Sequence, residues 1–237
     1  MIKKLVFVCL AAFTVASLSS CKHRRGSGHI VSENHPISDF TRLNVGGPFD
    51  VEFTQAATNT LELTGDDNLL KYVEIKNEDG ELSVKVRKGE WFDIHRNLQL
   101  KVSAQTLEEL NLAGSGNVTL KNGYKGDNAL KTAIAGAGNV SGKVDVPEFT
   151  AEIAGSGSFN IQGQTRKAKI DVMGSGDFNG FDLLTEETTA NIAGSGNIRV
   201  TASVKLDADI AGSGDVRYKG SPAVSSHVGG SGSVSKD

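Results

Sequence analysis

From Phe49 onward, apolar and polar side chains alternate with a period of two. Phe49-Asp-Val51-Glu-Phe53, Leu61-Glu-Leu63, Leu82-Ser-Val84-Lys-Val86 and Leu98-Gln-Leu100-Lys-Val102 each place one residue in two on an apolar face. That pattern predicts strands with one dry and one wet side. Asn77-Glu78-Asp79-Gly80 separates two such runs and predicts a tight hairpin turn, with Gly80 at positive φ. Helical periodicity is confined to 66–73, where Asp66, Asp67 and Asn68 precede Leu69-Leu70 and predict one or two turns.

The second half adds a longer period. Seven copies of one motif occur, among them Leu110-Asn-Leu-Ala-Gly-Ser-Gly-Asn-Val118 and Ala190-Asn-Ile-Ala-Gly-Ser-Gly-Asn-Ile198. The first glycine falls at 114, 136, 155, 174, 194, 212 and 230, so neighbouring copies are 22, 19, 19, 20, 18 and 18 residues apart. Aligned on that glycine, position −2 holds Leu112, Ile134, Ile153, Val172, Ile192, Ile210 and Val228. Position +4 holds Val118, Val140, Phe159, Phe178, Ile198, Val216 and Val234. Branched or aromatic side chains recurring once per repeat mark inward columns of a stacked array. The predicted fold is an all-β, right-handed β-solenoid with about seven C-terminal rungs of ~19 residues. At about 4.8 Å per rung, seven make a prism roughly 30–35 Å long. The alternating region from 40 to 102 is expected to cap or extend the stack. The last repeat, rich in serine, is expected to serve as a terminal cap.

The chain starts with a different signal. Lys3 and Lys4 precede an apolar run from Leu5 to Val15 and small residues up to Cys21. This is the pattern of a secretory signal peptide over 1–20. Leu18-Ser19-Ser20-Cys21 resembles the lipobox of bacterial lipoproteins, which implies cleavage before Cys21 and lipidation of that residue. Residues 21–29 then form a lipidated tether, and 30–237 a single domain. Cys9 is lost with the leader, so the mature chain has no second thiol for a disulfide and stands on its core. Without Lys3 and Lys4, 23 basic side chains face 28 acidic ones. That balance argues against nucleic acid as a partner. The basic run Lys22-His23-Arg24-Arg25 lies beside the anchor, as a solvated tether or against anionic headgroups.

The glycine corners invite three chemical readings. Phosphate loops need a helix after the glycines, and here a strand follows every corner. Calcium turns need carboxylates, yet the residue after the second glycine is Asn or Ser in five of seven copies. Direct ligand binding by the stacked Ser and Asn side chains stays open. The structural reading is that glycine supplies the positive φ of a sharp bend. His23, His29, His35, His95 and His227 show no metal-ligand spacing, and no cofactor motif occurs. For catalysis, the nearest approach to a carboxylate pair is Glu152 and Asp171 on neighbouring rungs, with Lys131 and Lys169 beside them. An ordinary solvated charge column has the same pattern, so the chain reads as a non-enzyme. Trp91-Phe92 is the candidate ligand-binding pair, with plugging the end of a core as its alternative.

The opening Phe40-x-x-Leu43-x-Val45-x-Gly47-x-x-x-Val51, the segment Gly65-Asp66-Asp67-Asn68-Leu69-Leu70 and the repeated Gly-Ser-Gly-Asn together resemble the head GIN domain family. That family comprises adhesin-like proteins common in Bacteroides-type bacteria. The resemblance implies the solenoid fold over about 30–237. It also implies a cell-envelope protein, outer-membrane anchored, that adheres to or binds a glycan or envelope protein without catalysis. A carbohydrate-active β-helix enzyme and a passive assembly module are the alternatives.

Overall fold

The computed structural model describes residues 22–94, 96 and 98–237. Cys21, the leader and His95 lie outside them. In chain order the first strands are β1 (Lys22–Arg25), β2 (Ile30–His35), β3 (Arg42–Gly46), β4 (Phe49–Gln55) and β5 (Thr60–Asp66). The short helix α1 (Asp67–Leu70) follows, then β6 (Val73–Glu78), β7 (Glu81–Val86), β8 (Glu90–Asp93) and β9 (Leu98–Ala104). The repeats supply β10 (Glu109–Gly114), β11 (Asn117–Lys125), β12 (Leu130–Gly136), β13 (Asn139–Gly155) and β14 (Ser158–Gly174). They end with β15 (Asp177–Gly194), β16 (Asn197–Gly212), β17 (Asp215–Gly220), β18 (Ala223–Gly230) and β19 (Ser233–Lys236).

The repeats form a β-solenoid of about seven turns. Successive rungs pair in parallel, and the register sets equivalent residues side by side. Leu112, Ile134, Ile153, Val172, Ile192, Ile210 and Val228 form one continuous column. Val118, Val140, Phe159, Phe178, Ile198, Val216 and Val234 form the second. Apart from Val228 and Val234, both columns are buried. Each of those side chains contributes roughly 1.5–3 kcal/mol by leaving water. The stack is one hydrophobic cluster from Phe40 to Val216, so residues 22–237 carry their own core.

The glycines answer to a steric constraint. At Gly155 φ is +134°, and a Cβ built there would lie 2.3 Å from the Gly136 carbonyl oxygen of the rung before. At Gly157, where φ is ordinary, the added Cβ would lie 2.3 Å from Gly138 O and 2.7 Å from Ile134 Cγ2. The same carbonyls accept backbone bonds across the corner, as in Ser156 N to Gly136 O at 2.9 Å. The following position forms side-chain links between rungs: Asn139 Nδ2 donates to Asn117 Oδ1 at 2.8 Å, and Ser158 Oγ to Asn139 Oδ1 at 2.6 Å.

The N-terminal strands extend the stack, in a permuted order. β3 and β4 pair with β10 and β11, putting Val45 beside Leu112 and Val51 beside Val118. The chain then runs outward, and β7 and β9 form the next rung beyond β3 and β4. Antiparallel strands close that end: β6 on β7, and β5 with β2 on β9. The β6–β7 hairpin turns through Asp79 (φ 51°) and Gly80 (φ 71°). α1 is a single turn, and Asp66 at its N-cap makes no capping bond.

Two expectations need correction. Residues 22–25 are not a free tether: β1 pairs in parallel with β8, and Arg24 Nε contacts Glu90 Oε2 at 2.7 Å. Arg24 also lies over the Tyr72 ring, 4.6 Å from its centroid. Composition alone hides this, because the partners lie some 66 residues away. Nor is the last repeat a cap. It is an ordinary rung in the common register, and among the described residues nothing covers it.

Gly157→Ala should lower unfolding free energy by at least about 2 kcal/mol, because its clash is with backbone that cannot yield. Gly80→Ala meets no atom within 4 Å. It should cost only the positive-φ penalty, about 1 kcal/mol. Chemical denaturation of both variants separates the two effects.

Candidate binding groove on the solenoid face

Two rungs carry extra residues at the bend after their second column. In β11 the register against β13 shifts between Leu120 and Tyr124, so Lys121, Asn122 and Gly123 oppose Lys143 alone. In β15 it shifts against β16 between Gly180 and Leu184, where Phe181, Asp182 and Leu183 have no counterpart. The two rungs between them take the bend with fewer residues, through Gly142–Lys143 and Ile161–Gln162. The result is a groove of about 820 Å³, with raised corners at either end and a low floor. The corners stand three rungs apart, about 14 Å along the axis.

Both walls are tied down. Asn122 exchanges two hydrogen bonds with the Gln55 backbone, at 3.1 and 3.0 Å. Gln55 in turn bonds Lys125 O and Lys125 N. Behind this corner the Tyr124 hydroxyl accepts from Leu107 N at 2.9 Å, and burial pushes its phenol above the ordinary value. At the other end Thr201 Oγ1 donates to Phe181 O at 2.7 Å, and Lys219 Nζ lies 4.3 Å from the Phe181 ring centroid. Along the groove runs a polar ladder. Arg199 Nη1 donates to Asn179 Oδ1 at 2.7 Å, and Asn179 Nδ2 to Asn160 Oδ1 at 3.1 Å. Each amide has two hydrogens and two lone pairs, so the ladder leaves capacity for a ligand. Of the lining residues only Asp182 is a carboxylate, against Lys121, Lys143 and Arg199.

Trp91 and Phe92 are not a pair in space. Strand alternation in β8 turns them to opposite faces: Trp91 is 62% exposed and Phe92 is buried at 9%. Both lie in the small β1–β8 sheet, not among the groove residues. Phe92 therefore belongs to the core and Trp91 to the surface. Glu152 and Asp171 do stand on adjacent rungs, each with a cation. Lys131 Nζ lies 3.1 Å from Glu152, and Lys169 Nζ 2.7 Å from Asp171, which also accepts from Asn191 at 2.7 Å. The Asp171 hydrogen bond, with the charges of Asp171 and Glu152, holds the Lys169 ammonium above its ordinary pKa. This is a mutually compensated charge column. A second trough, beside Asp145 and Thr165, has Lys125 on Asp145 at 3.2 Å and Arg166 on Glu148 at 3.6 Å, and Asp127 and Glu186 leave its lining acidic in balance. Among the described residues no three His, Cys, Asp or Glu side chains gather as a metal site.

The groove escaped notice in the sequence because its walls are departures from the repeat. The signal was present: the rungs opening at Gly114 and Gly174 are the two longest, at 22 and 20 residues.

Fold and groove together define a β-solenoid repeat protein with a polar trough along one side. The chain belongs to the family described as "Putative auto-transporter adhesin, head GIN domain", whose model matches residues 39–222. Solved structures agree. A "putative adhesin" from Bacteroides fragilis superposes with a TM-score of 0.84 at 22% identity, covering 90% of this chain and 100% of that one. A "putative lipid binding protein" from Parabacteroides distasonis is 30% identical, with a TM-score of 0.76 and 91% and 100% coverage. A "putative adhesin" from Parabacteroides merdae is 28% identical, at 0.65, with 91% and 99% coverage. No curated protein sequence matches the chain.

As the one tryptophan of the chain, Trp91 reports on its own surroundings. Its emission should be that of a hydrated indole in the native state, be quenched readily by acrylamide, and shift little on unfolding. A blue-shifted, shielded native spectrum would contradict its exposure.

Proposed function

We propose that this chain is a lipid-anchored cell-envelope module that binds a glycan in the groove between the Asn122 and Phe181 corners, without chemistry. One observation carries the reading: a ladder of side-chain amides and an arginine runs beside an aromatic ring in a walled trough with a single carboxylate. Sugar hydroxyls need donors and acceptors in a row, and ring faces need an aromatic to lie on. Glycoside hydrolysis needs two carboxylates, and the groove supplies one. Lys121 is paired with Glu52 at 2.8 Å, and the remaining cations, Lys143 and Arg199, against the one carboxylate Asp182, favour neutral or acidic glycans over basic ones. The adhesin descriptions of the relatives support a binding role at the cell envelope.

The anchor fits the same geometry. Cys21 directly precedes β1, and β1 is docked on β8. Lipid on Cys21 would hold the solenoid by its capped end, with the groove standing off the membrane. The "lipid binding" description of the Parabacteroides distasonis relative does not decide between readings, since the groove's polar ladder suits hydroxyls better than acyl chains.

Residues 22–237 should retain a subset of neutral or acidic glycans on an array. Asn160→Ala and Phe181→Ala should each weaken binding at least tenfold, and Trp91→Ala should leave it unchanged. Release of shortened glycan by the wild type would overturn the non-catalytic reading. Separately, full-length chain expressed in a bacterium should carry acyl groups on Cys21 by mass spectrometry. Cys21→Ser should free it from the membrane fraction.

A further inference from the structure

The two ends of the solenoid differ. At the N-terminal end the exposed edges belong to β2 and β6, which carry Glu33 and His35, and Glu74, Lys76 and Glu78. Charges on an edge strand discourage pairing with another chain. At the other end, β18 bonds only to β16 among the described residues. It runs eight residues, Ala-Val-Ser-Ser-His-Val-Gly-Gly, with no Asp, Glu, Lys, Arg or Pro and no register shift against β16. Its inward residues are left open: Val224 is 41% and Val228 37% exposed, where Leu206 and Ile210 one rung below are fully buried. A straight, uncharged edge ending an uncovered core is the arrangement natural sheets otherwise avoid.

We propose that this edge is an interface with a second copy of the chain, β18 pairing antiparallel with the partner's β18 about a two-fold axis. Three observations select a second copy, and this arrangement of it. An isologous contact brings the same patch to itself, so it must be free of like charge, and β18 is. Head-to-tail stacking would need a matching parallel edge at the far end, and that end is closed by antiparallel, charged strands. Side-chain parity then fixes the register. Directly opposed residues point to the same side of a sheet, so both inward valines are matched to valines only if Ser226 lies on the axis. Val224 then faces the partner's Val228, twice over, and the two cores close on each other. The pairing does not depend on the lipid anchor. If the anchor is as proposed above, the joined ends lie far from both anchors, and the pair links chains held on facing surfaces.

The test uses residues 22–237, which contain no cysteine. Sedimentation equilibrium at 1–100 μM should show a reversible monomer–dimer system. Ser226→Lys sets a charge against its own copy and should raise the dimer dissociation constant at least tenfold, with the thermal unfolding transition retained. Ser226→Cys should oxidise to a covalent dimer, while Ser195→Cys on a mid-stack corner should not. The cysteine pair decides the matter even if the lysine variant unfolds. A monomer throughout that range, or a dimer indifferent to charge at 226 with no Ser226→Cys cross-link, would overturn the proposal.

Discussion

Everything in this molecule depends on how closely one turn of backbone approaches the next at the glycine corners. Parallel pairing fixes the rise at about 4.8 Å, and the corner must obey it while the chain bends. The first glycine turns through a φ that side chains resist, and the second lets the chain pass under the aliphatic of the previous rung. With both in place, the carbonyl of one corner accepts the amide of the next, and the ladder runs through the bend without a break. Side chains before and after the corner then have no freedom of register. They fall into columns, and a column of Ile and Val or of Phe is the core.

That constraint explains what the sequence made plain. The spacing of the Gly-x-Gly copies identified the rungs, and the branched residues at fixed offsets identified the dry columns, because stacking repeats chemistry once per turn. The hairpin at Asp79-Gly80 was legible because its turn type demands positive φ at two consecutive residues. The docking of β1 on β8 was not legible: Lys22-His23-Arg24-Arg25 has no alternation, and its order comes from Glu90 and Tyr72, both remote in sequence. The split of Trp91 from Phe92 follows from the parity of strand Glu90–Asp93, whose pairing partner β1 is remote in sequence.

Rung order was hidden for a different reason. Periodicity says which segments are rungs but not which lies beside which. The chain begins its stack at β3 and β4, adds β7 and β9 on the outer side, and returns to continue inward from β10. A solenoid grown only in one direction would leave two open parallel edges. Doubling back at the start lets the same segment that builds a rung also supply β2, β5 and β6 to close it. The groove has a related origin. A regular prism has flat sides, and a trough appears only where some bends are longer than their neighbours. Rungs of 22 and 20 residues around two of 19 make such a trough without disturbing either dry column, since the extra residues fall after the second column, Leu183 turning into the core and Phe181 and Asp182 toward the groove.

The stack thus separates two tasks that a compact domain mixes. The columns carry stability, and the two glycines of each corner tolerate no side chain. The bends after the second column add buried side chains such as Leu120, Tyr124, Ile161 and Leu183 but are not tied to one length, so they vary and present Asn, Arg and Phe at the groove. The ends obey a third rule, because each must satisfy a row of backbone groups that in mid-stack is met by the next turn. At one end the chain meets that requirement with its own antiparallel strands. At the other, among the described residues, it presents serine, valine and glycine with their bonding groups directed outward and the valines uncovered. A further strand would answer both needs, and one from an identical chain can do so because no charge on β18 opposes its own image.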